Sequence, residues 1–104
     1  MAPQKLNVIW SEAALTDLDQ IADYIALDKE SAAKRLVQKF FTATDRLARF
    51  PASGRIPPEL HDLPYREIIV PPLRIIYRVD DSVVHVIYVF RGEQLLNASR
   101  LWHR

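Results

Sequence analysis

The sequence predicts an α+β fold in which an antiparallel four-stranded sheet packs against an α-helical hairpin, in the order β-α-α-β-β-β. Three observations lead to this prediction. Apolar residues recur at three- and four-residue steps across residues 12–50, as they do in amphipathic helices. Three short apolar segments follow residue 66, separated by Pro71-Pro72 and by Asp80-Asp81-Ser82, which are connections of hairpin length. The alternating residues 6–10 precede the helices and supply a fourth strand.

Two helices account for the first half of the chain. The first is predicted over residues 12–27 with Ser11 as its N-cap, because a serine there accepts a hydrogen bond from the first turn. Asp28 breaks the apolar period and is predicted to cap the second helix. The second helix is expected to end near Phe50, because Pro51 disfavours helical backbone angles in the residue before it.

The three strands of the second half are predicted over residues 67–70, 73–79 and 83–90. Period-two alternation makes one face of the 73–79 strand apolar and the other cationic, with Arg74 and Arg78 on the cationic face. In the last strand, one face is expected to hold Val84, Val86, Tyr88 and Phe90. Both faces of this strand are apolar, which predicts a central position in the sheet. It also predicts that the C-terminal tail or a partner covers the sheet face that the helices leave open.

Composition limits the classes of function. The 104 residues carry 14 Lys and Arg against 13 Asp and Glu, a net charge of +1, and no Cys. The lack of Cys excludes a disulfide framework, a thiolate metal site and a thiol nucleophile, and no cofactor or metal is expected. The near-neutral charge argues against a plain nucleic-acid-binding domain.

The length favours one domain over residues 1–104. The longest apolar run, residues 83–90, falls well short of the roughly 20 residues of a membrane helix. The first ten residues lack the cationic and apolar segments of a signal peptide. A cytoplasmic protein with no membrane partner is therefore expected.

Charge is unevenly distributed along the chain. Residues 12–28 hold five acidic residues and no basic one, whereas residues 29–50 hold six basic and two acidic ones. This pattern favours modest pairing across the hairpin. It leaves open a second interpretation, in which the basic helix, with Lys34, Arg35 and Lys39, contacts an acidic partner or nucleic acid.

Four segments, in this order and spacing, resemble the RelE/ParE superfamily of bacterial type II toxins. They are W-S-x-x-A-x-x-D-L-x-x-I-x-x-Y-I from Trp10, L-x-x-x-P-x-x-G-R from Leu47, R-E-I from Arg66 and R-I-I-Y-R-V from Arg74. The similarity is closest to the ParE branch. The resemblance implies a small toxin that forms a hetero-oligomer with a co-encoded acidic antitoxin, which folds as it binds.

An apolar and basic surface fits an acidic amphipathic segment of this kind. On this basis the expected antitoxin contacts are Lys34, Phe41, Arg74 and Arg78. Phe41 is included because it lies off the main apolar stripe of the second helix. Arg74 has an alternative role as the ion-pair partner of Glu67 across the hairpin.

The superfamily has two activities, and one of them is enzymatic. In the ribosome-dependent mRNA endonuclease branch, cleavage needs a proton acceptor, a proton donor and cations around the phosphate. The positions that correspond by resemblance are Arg66, Arg74 and Arg91 as cations and Glu59 as the base.

Two departures favour the ParE branch, whose members block DNA gyrase by binding it. Ile68 stands where the endonucleases carry a second lysine. No tyrosine follows Tyr88, so the tail offers only Trp102 and His103 as aromatic residues. The sequence therefore predicts a gyrase inhibitor, with an mRNA endonuclease acting on the ribosome as the alternative and a degenerate member that only binds antitoxin as a third interpretation.

Overall fold

The computed structural model describes residues 5–92, which form a four-stranded sheet with two helices on one face. The elements are β1 (Asn7–Trp10), α1 (Glu12–Ala26), α2 (Glu30–Arg46), a 3-10 turn called η1 (Pro58–Leu60), β2 (Arg66–Val70), β3 (Leu73–Asp80) and β4 (Val83–Arg91). The strand order across the sheet is β1-β4-β3-β2. The predicted α+β fold and element order are confirmed. The tail, with Trp102 and His103, lies outside the described residues.

The direction of β1 differs from the prediction. β2, β3 and β4 form the antiparallel meander, but β1 runs parallel to β4, so the sheet is mixed rather than wholly antiparallel. The reason is that α1 continues along β4 in the direction of β1: Ser11 Oγ donates to the Ile87 carbonyl, and Asp17 accepts from the Val89 N–H. The chain then reverses four times before it ends in β4, and an even number of reversals leaves the first and last strands parallel.

The helix boundaries follow their local capping chemistry. Ser11 caps α1 as predicted, because its Oγ accepts a hydrogen bond of 2.9 Å from the Ala14 N–H. The prediction that Asp28 caps α2 is wrong: the N-cap is Lys29, whose side chain makes no capping bond. Asp28 still belongs to the end of α1, since its N–H donates to the Ile25 carbonyl. α2 ends at Arg46, and hydrogen-bonded turns carry the chain on to Phe50.

The main core lies between the helices and the sheet. Phe40 of α2 and Tyr77 of β3 are completely buried there. Trp10 of β1 ties the sheet edge to α2, because its indole N–H donates to Thr44 Oγ1 at 2.9 Å. The Thr44 hydroxyl in turn donates to the Phe40 carbonyl, so both polar groups are satisfied inside the core.

A β-bulge divides β4 into two halves. Ile76 pairs with Tyr88, whereas the next residue of β3, Tyr77, pairs with Val86, so Ile87 is the extra residue. The alternation shifts by one position beyond it, because a bulge breaks the period of two. The prediction that Val84, Val86, Tyr88 and Phe90 share one face is therefore wrong.

The bulge creates a second apolar cluster on the side of the sheet away from the helices. Tyr88 and Phe90 turn to this side and pack with Ile76, Ile87 and Leu60. Leu60 belongs to η1, so the segment between α2 and β2 covers part of the sheet face that was predicted to need a cover. This segment also brings Glu59 over the sheet.

Candidate functional site

The turn that follows α2 is fixed to β3 by a buried tyrosine. The Tyr77 hydroxyl donates to the Pro51 carbonyl at 2.7 Å and accepts from the Gly54 N–H at 2.9 Å. A side chain at Gly54 would place its Cβ 2.5 Å from Tyr77 Oη and 2.7 Å from the Glu67 carbonyl oxygen. Only glycine fits this close approach. The P-x-x-G-R segment thereby sets Arg55 against β2, where its backbone pairs with that of Glu67.

A network of four charged side chains grows from this turn. Glu67 is buried with 1% of its surface exposed, and its two carboxylate oxygens accept from Arg55 Nε at 2.6 Å and Arg74 Nε at 2.8 Å. The other two nitrogens of the Arg74 guanidinium donate to Glu59 at 3.0 and 3.2 Å. The same guanidinium lies 4.9 Å from the centre of the Phe90 ring. The ion pair of Arg74 with Glu67, which the sequence offered as an alternative role of Arg74, is present.

These contacts favour the charged forms of Glu59 and Arg74. The hydrogen bonds from Arg74 lower the pKa of Glu59, and the bonds to Glu59 and Glu67 raise the pKa of Arg74. A carboxylate held in this way by a bidentate arginine is a weak proton acceptor. The network is suited to fastening η1 to the sheet, and it occupies the donors with which Arg74 would hold a phosphate.

The four residues that correspond to endonuclease positions are divided between the two sides of the sheet. Glu59 and Arg74 lie together on the η1 side. Arg91 lies on the helix side, with its guanidinium 5.0 Å from the centre of the Tyr24 ring. Arg66, next to Glu67 and therefore on the opposite side of β2, donates to the Gly54 carbonyl at 2.8 Å.

The four expected antitoxin contacts also lie apart. Lys34 is on the outer surface of α2, 3.8 Å from Glu30. Phe41 lies between the two helices, edge-on to Trp10. Arg74 is held in the network, and Arg78 donates to Asp80 at 2.7 Å.

A large groove runs between α2 and the edge strand β2. Its volume is about 770 Å³, and its lining joins basic and apolar side chains. Arg35, Lys39 and Arg46 recur at four- and seven-residue steps, so they share one stripe of α2. Ile69, which is 51% exposed, lies at the β2 side. We call this the basic groove, because no acidic side chain lines it among residues 5–92.

The backbone of β2 is accessible beside the basic groove. Arg55 takes the outward hydrogen-bonding positions of Glu67. Two residues further on, the N–H and C=O of Ile69 point to the same outer edge, because the pattern alternates along a strand. The sequence pointed to Arg35 and Lys39. It did not identify Ile69, because nothing in a five-residue strand tells which of its edges stays unpaired.

A smaller groove of about 430 Å³ lies on the other flank of α2, between it and α1. Its apolar lining includes Leu15, Val37 and Phe41, and its charged lining is Glu12 and Asp19. No basic side chain lines it in the described part of the chain. We call this the acidic groove.

Two further observations concern metals and membranes. Within residues 5–92, no group of three His, Asp or Glu side chains is arranged to hold a metal ion. None of the described helices has the length and apolarity needed to cross a membrane.

Comparison with known proteins assigns the class. The model of the ParE toxin of type II toxin–antitoxin systems (parDE) matches residues 8–96. The chain is 37% identical over 90 residues to "Toxin RelE2" of Caulobacter vibrioides, covering 86% of this chain and 98% of that protein.

Two solved structures share the fold. A chain of the chromosomal ParDE toxin–antitoxin system from P. aeruginosa superposes with a TM-score of 0.70 at 22% identity, covering 88% of this chain and all of that one. A chain of the toxin–antitoxin complex RelBE2 from Mycobacterium tuberculosis superposes with a TM-score of 0.57 at 19% identity, covering 84% of this chain and 98% of that one.

The fold and the matched segments define a toxin of the RelE/ParE superfamily. Within it, the chain belongs to the ParE toxin family of type II toxin–antitoxin systems.

Proposed function

We propose that this toxin arrests growth by binding DNA gyrase without catalysing a bond change, and that a co-encoded acidic antitoxin neutralises it. The observation that carries the proposal is the bidentate pair of Arg74 and Glu59. An endonuclease needs a free base and free cations at the phosphate, whereas here Arg74 and Glu59 satisfy each other. The match to the ParE family supports the same conclusion.

A supercoiling assay tests the gyrase target. Purified toxin is added to gyrase and relaxed plasmid, and supercoiling is expected to fall at micromolar toxin and to recover when the antitoxin is added first. The matched control is toxin unfolded by heat. Undiminished supercoiling at micromolar toxin would remove gyrase as the target.

The basic groove is the surface that best fits the antitoxin. An acidic amphipathic segment would set its apolar side chains against Ile68 and Ile69 and its carboxylates against Arg35, Lys39 and Arg46. Electrostatic attraction would speed its encounter with the toxin, and folding on binding would order it along the groove.

A ribosome-dependent mRNA endonuclease is the second candidate, favoured by the relative named "Toxin RelE2" and by the cations Arg66, Arg74 and Arg91. It requires that wild-type toxin cleave mRNA on translating ribosomes and that Arg74→Ala abolish cleavage, while Arg78→Ala does not. Growth arrest by wild type with intact mRNA would eliminate this candidate.

A further inference from the structure

The two flanks of α2 carry grooves of opposite charge. Arg35, Lys39 and Arg46 line one of them, whereas Val37 and Phe41 of the same helix line the other together with the acidic side chains of α1. A helix is about 10 Å across, so the two grooves are neighbours that face different directions. Two grooves of opposite charge therefore lie on separate flanks of one helix.

We propose that the acidic groove is the surface by which the toxin binds its cellular target, and that this target presents a basic protein surface with an apolar side chain that enters the groove. The proposal rests on the proposed toxin function. It assigns Phe41 to the target rather than to the antitoxin.

The apolar part of the acidic groove is exposed and preformed. Leu15 of α1 is a large apolar residue, yet 40% of its surface is exposed. Phe41, opposite it, is fixed by edge-on contacts with Trp10 and Phe40 at ring distances of 5.5 and 5.0 Å. Trp10 is itself held by its bond to Thr44. A rigid apolar cleft with an exposed rim is the form that protein binding sites take, because little order is lost when a partner side chain enters it.

The charge of the groove selects the partner. Glu12 and Asp19 line it, and the exposed Asp23 continues the same stripe of α1 one turn further on. On the α2 flank, Lys34 lies two turns before Phe41 and is 3.8 Å from Glu30, so its charge is partly offset. Like charges at an interface oppose binding, so this groove disfavours the acidic antitoxin and favours a basic surface.

Separate grooves are compatible with neutralisation. Both grooves border α2, and an antitoxin segment bound along the basic groove adds bulk beside the same helix. A large target would then be kept from the acidic groove by steric exclusion, without competing for the same side chains.

Variants of α1 in the full chain test the proposal. Asp19→Lys reverses the charge of the groove and Leu15→Gln removes its exposed apolar rim. Both are expected to weaken growth arrest at least tenfold, measured as the inducer concentration that halves growth, with toxin amounts matched by immunoblot. Affinity for the antitoxin, taken as the product of the reading frame adjoining the toxin gene and measured by calorimetry, is expected to stay within threefold of wild type.

Asp62→Lys is the matched control, because it makes the same charge change at an exposed position beyond η1, on the other side of the sheet. It is expected to leave both readouts unchanged. Circular dichroism and thermal melting verify that all three variants fold.

The outcomes separate this proposal from the choice of target. If Asp19→Lys and Leu15→Gln arrest growth as wild type does, or lose antitoxin affinity instead, the proposal is overturned. If wild type arrests growth but leaves supercoiling undiminished, gyrase is excluded while the growth assay still decides the role of the groove. A wild-type toxin that does not arrest growth would overturn both proposals.

Discussion

Arg74 joins three parts of the chain that are distant in sequence. Its guanidinium binds Glu67 of β2 and Glu59 of η1 and lies against Phe90 of β4. The planar fork that made this arginine a candidate for phosphate is the same feature that lets it hold two carboxylates. Burying a charged carboxylate such as that of Glu67 costs free energy, and its partners Arg55 and Arg74 offset this cost.

Gly54→Ala is expected to destabilise the fold by about 1–3 kcal/mol, because the added methyl overpacks the turn against Tyr77 and Glu67. Urea denaturation measures the free energy of unfolding. Gly92→Ala is the matched control, since among residues 5–92 its Cβ would meet the Pro72 carbonyl oxygen alone, at 3.5 Å. Equal effects of the two substitutions would contradict the proposed role of the close approach at Gly54.

Acid is expected to weaken the ion pair between Glu59 and Arg74. The folded-state pKa of Glu59 is lowered by the hydrogen bonds from Arg74, so its contribution to stability is present above the unfolded-state pKa and is lost as pH falls through the folded-state value. Glu59→Gln removes that contribution. The free energies of unfolding of wild type and variant are therefore expected to differ at neutral pH and to converge in acid, below the ordinary carboxyl range. If the free energies of unfolding of wild type and Glu59→Gln differ by the same amount from neutral pH to acid, the expected loss of the ion pair in acid is contradicted.

At the scale of elements, the features that remained unpredicted are those that depend on a partner element. Alternation identified the faces of β3 correctly, and Leu73, Ile75 and Tyr77 all point to the helices. The same rule failed in β4, because the extra residue Ile87 is visible only when β4 is aligned with β3. At the helix ends, Ser11 was predicted correctly as the cap of α1, because its side chain bonds within its own turn. Asp28 was predicted wrongly as the cap of α2, because its N–H bonds to the Ile25 carbonyl at the end of α1.

Lys29→Ser is expected to stabilise the protein by about 1 kcal/mol. Lys29 occupies the N-cap of α2 in an extended conformation without a capping bond, and a serine there can accept one from the first turn. Thermal melting measures the effect. Ser11→Ala, which removes the cap of α1, is expected to shift stability in the opposite direction by at least as much. A Lys29→Ser variant no more stable than wild type would contradict this capping argument.

At the scale of the whole molecule, the near-neutral net charge of +1 hides two separated surfaces of opposite charge. The opposite net charges of the two helices were evident in the sequence. Modest ion pairing between the helices was one interpretation of this pattern. In the fold, the basic stripe faces β2 and the acidic stripe borders the other flank of α2. The two stripes therefore face different directions, and the proposals made above give each of them a different partner.

Lys39→Glu is expected to weaken antitoxin binding about tenfold, equivalent to about 1.4 kcal/mol, because it places a negative charge in the basic groove. Calorimetric titration with the antitoxin measures the affinity. Lys34→Glu makes the same change on the same helix outside that groove, and its effect is expected to be much smaller. An equal loss in both variants would indicate a general effect of charge and not a site.

The sequence by itself determined the two helices, the meander and the ParE resemblance, because periodicity, caps and turn residues act over a few neighbouring positions. Tertiary structure alone decided the parallel direction of β1, the bulge in β4 and the cover formed by η1. It also decided that Arg74 binds Glu59, 15 residues away, and that Tyr77 holds Gly54, 23 residues away. These features depend on which distant segments meet, and their energies arise only after the chain has closed the loops between them.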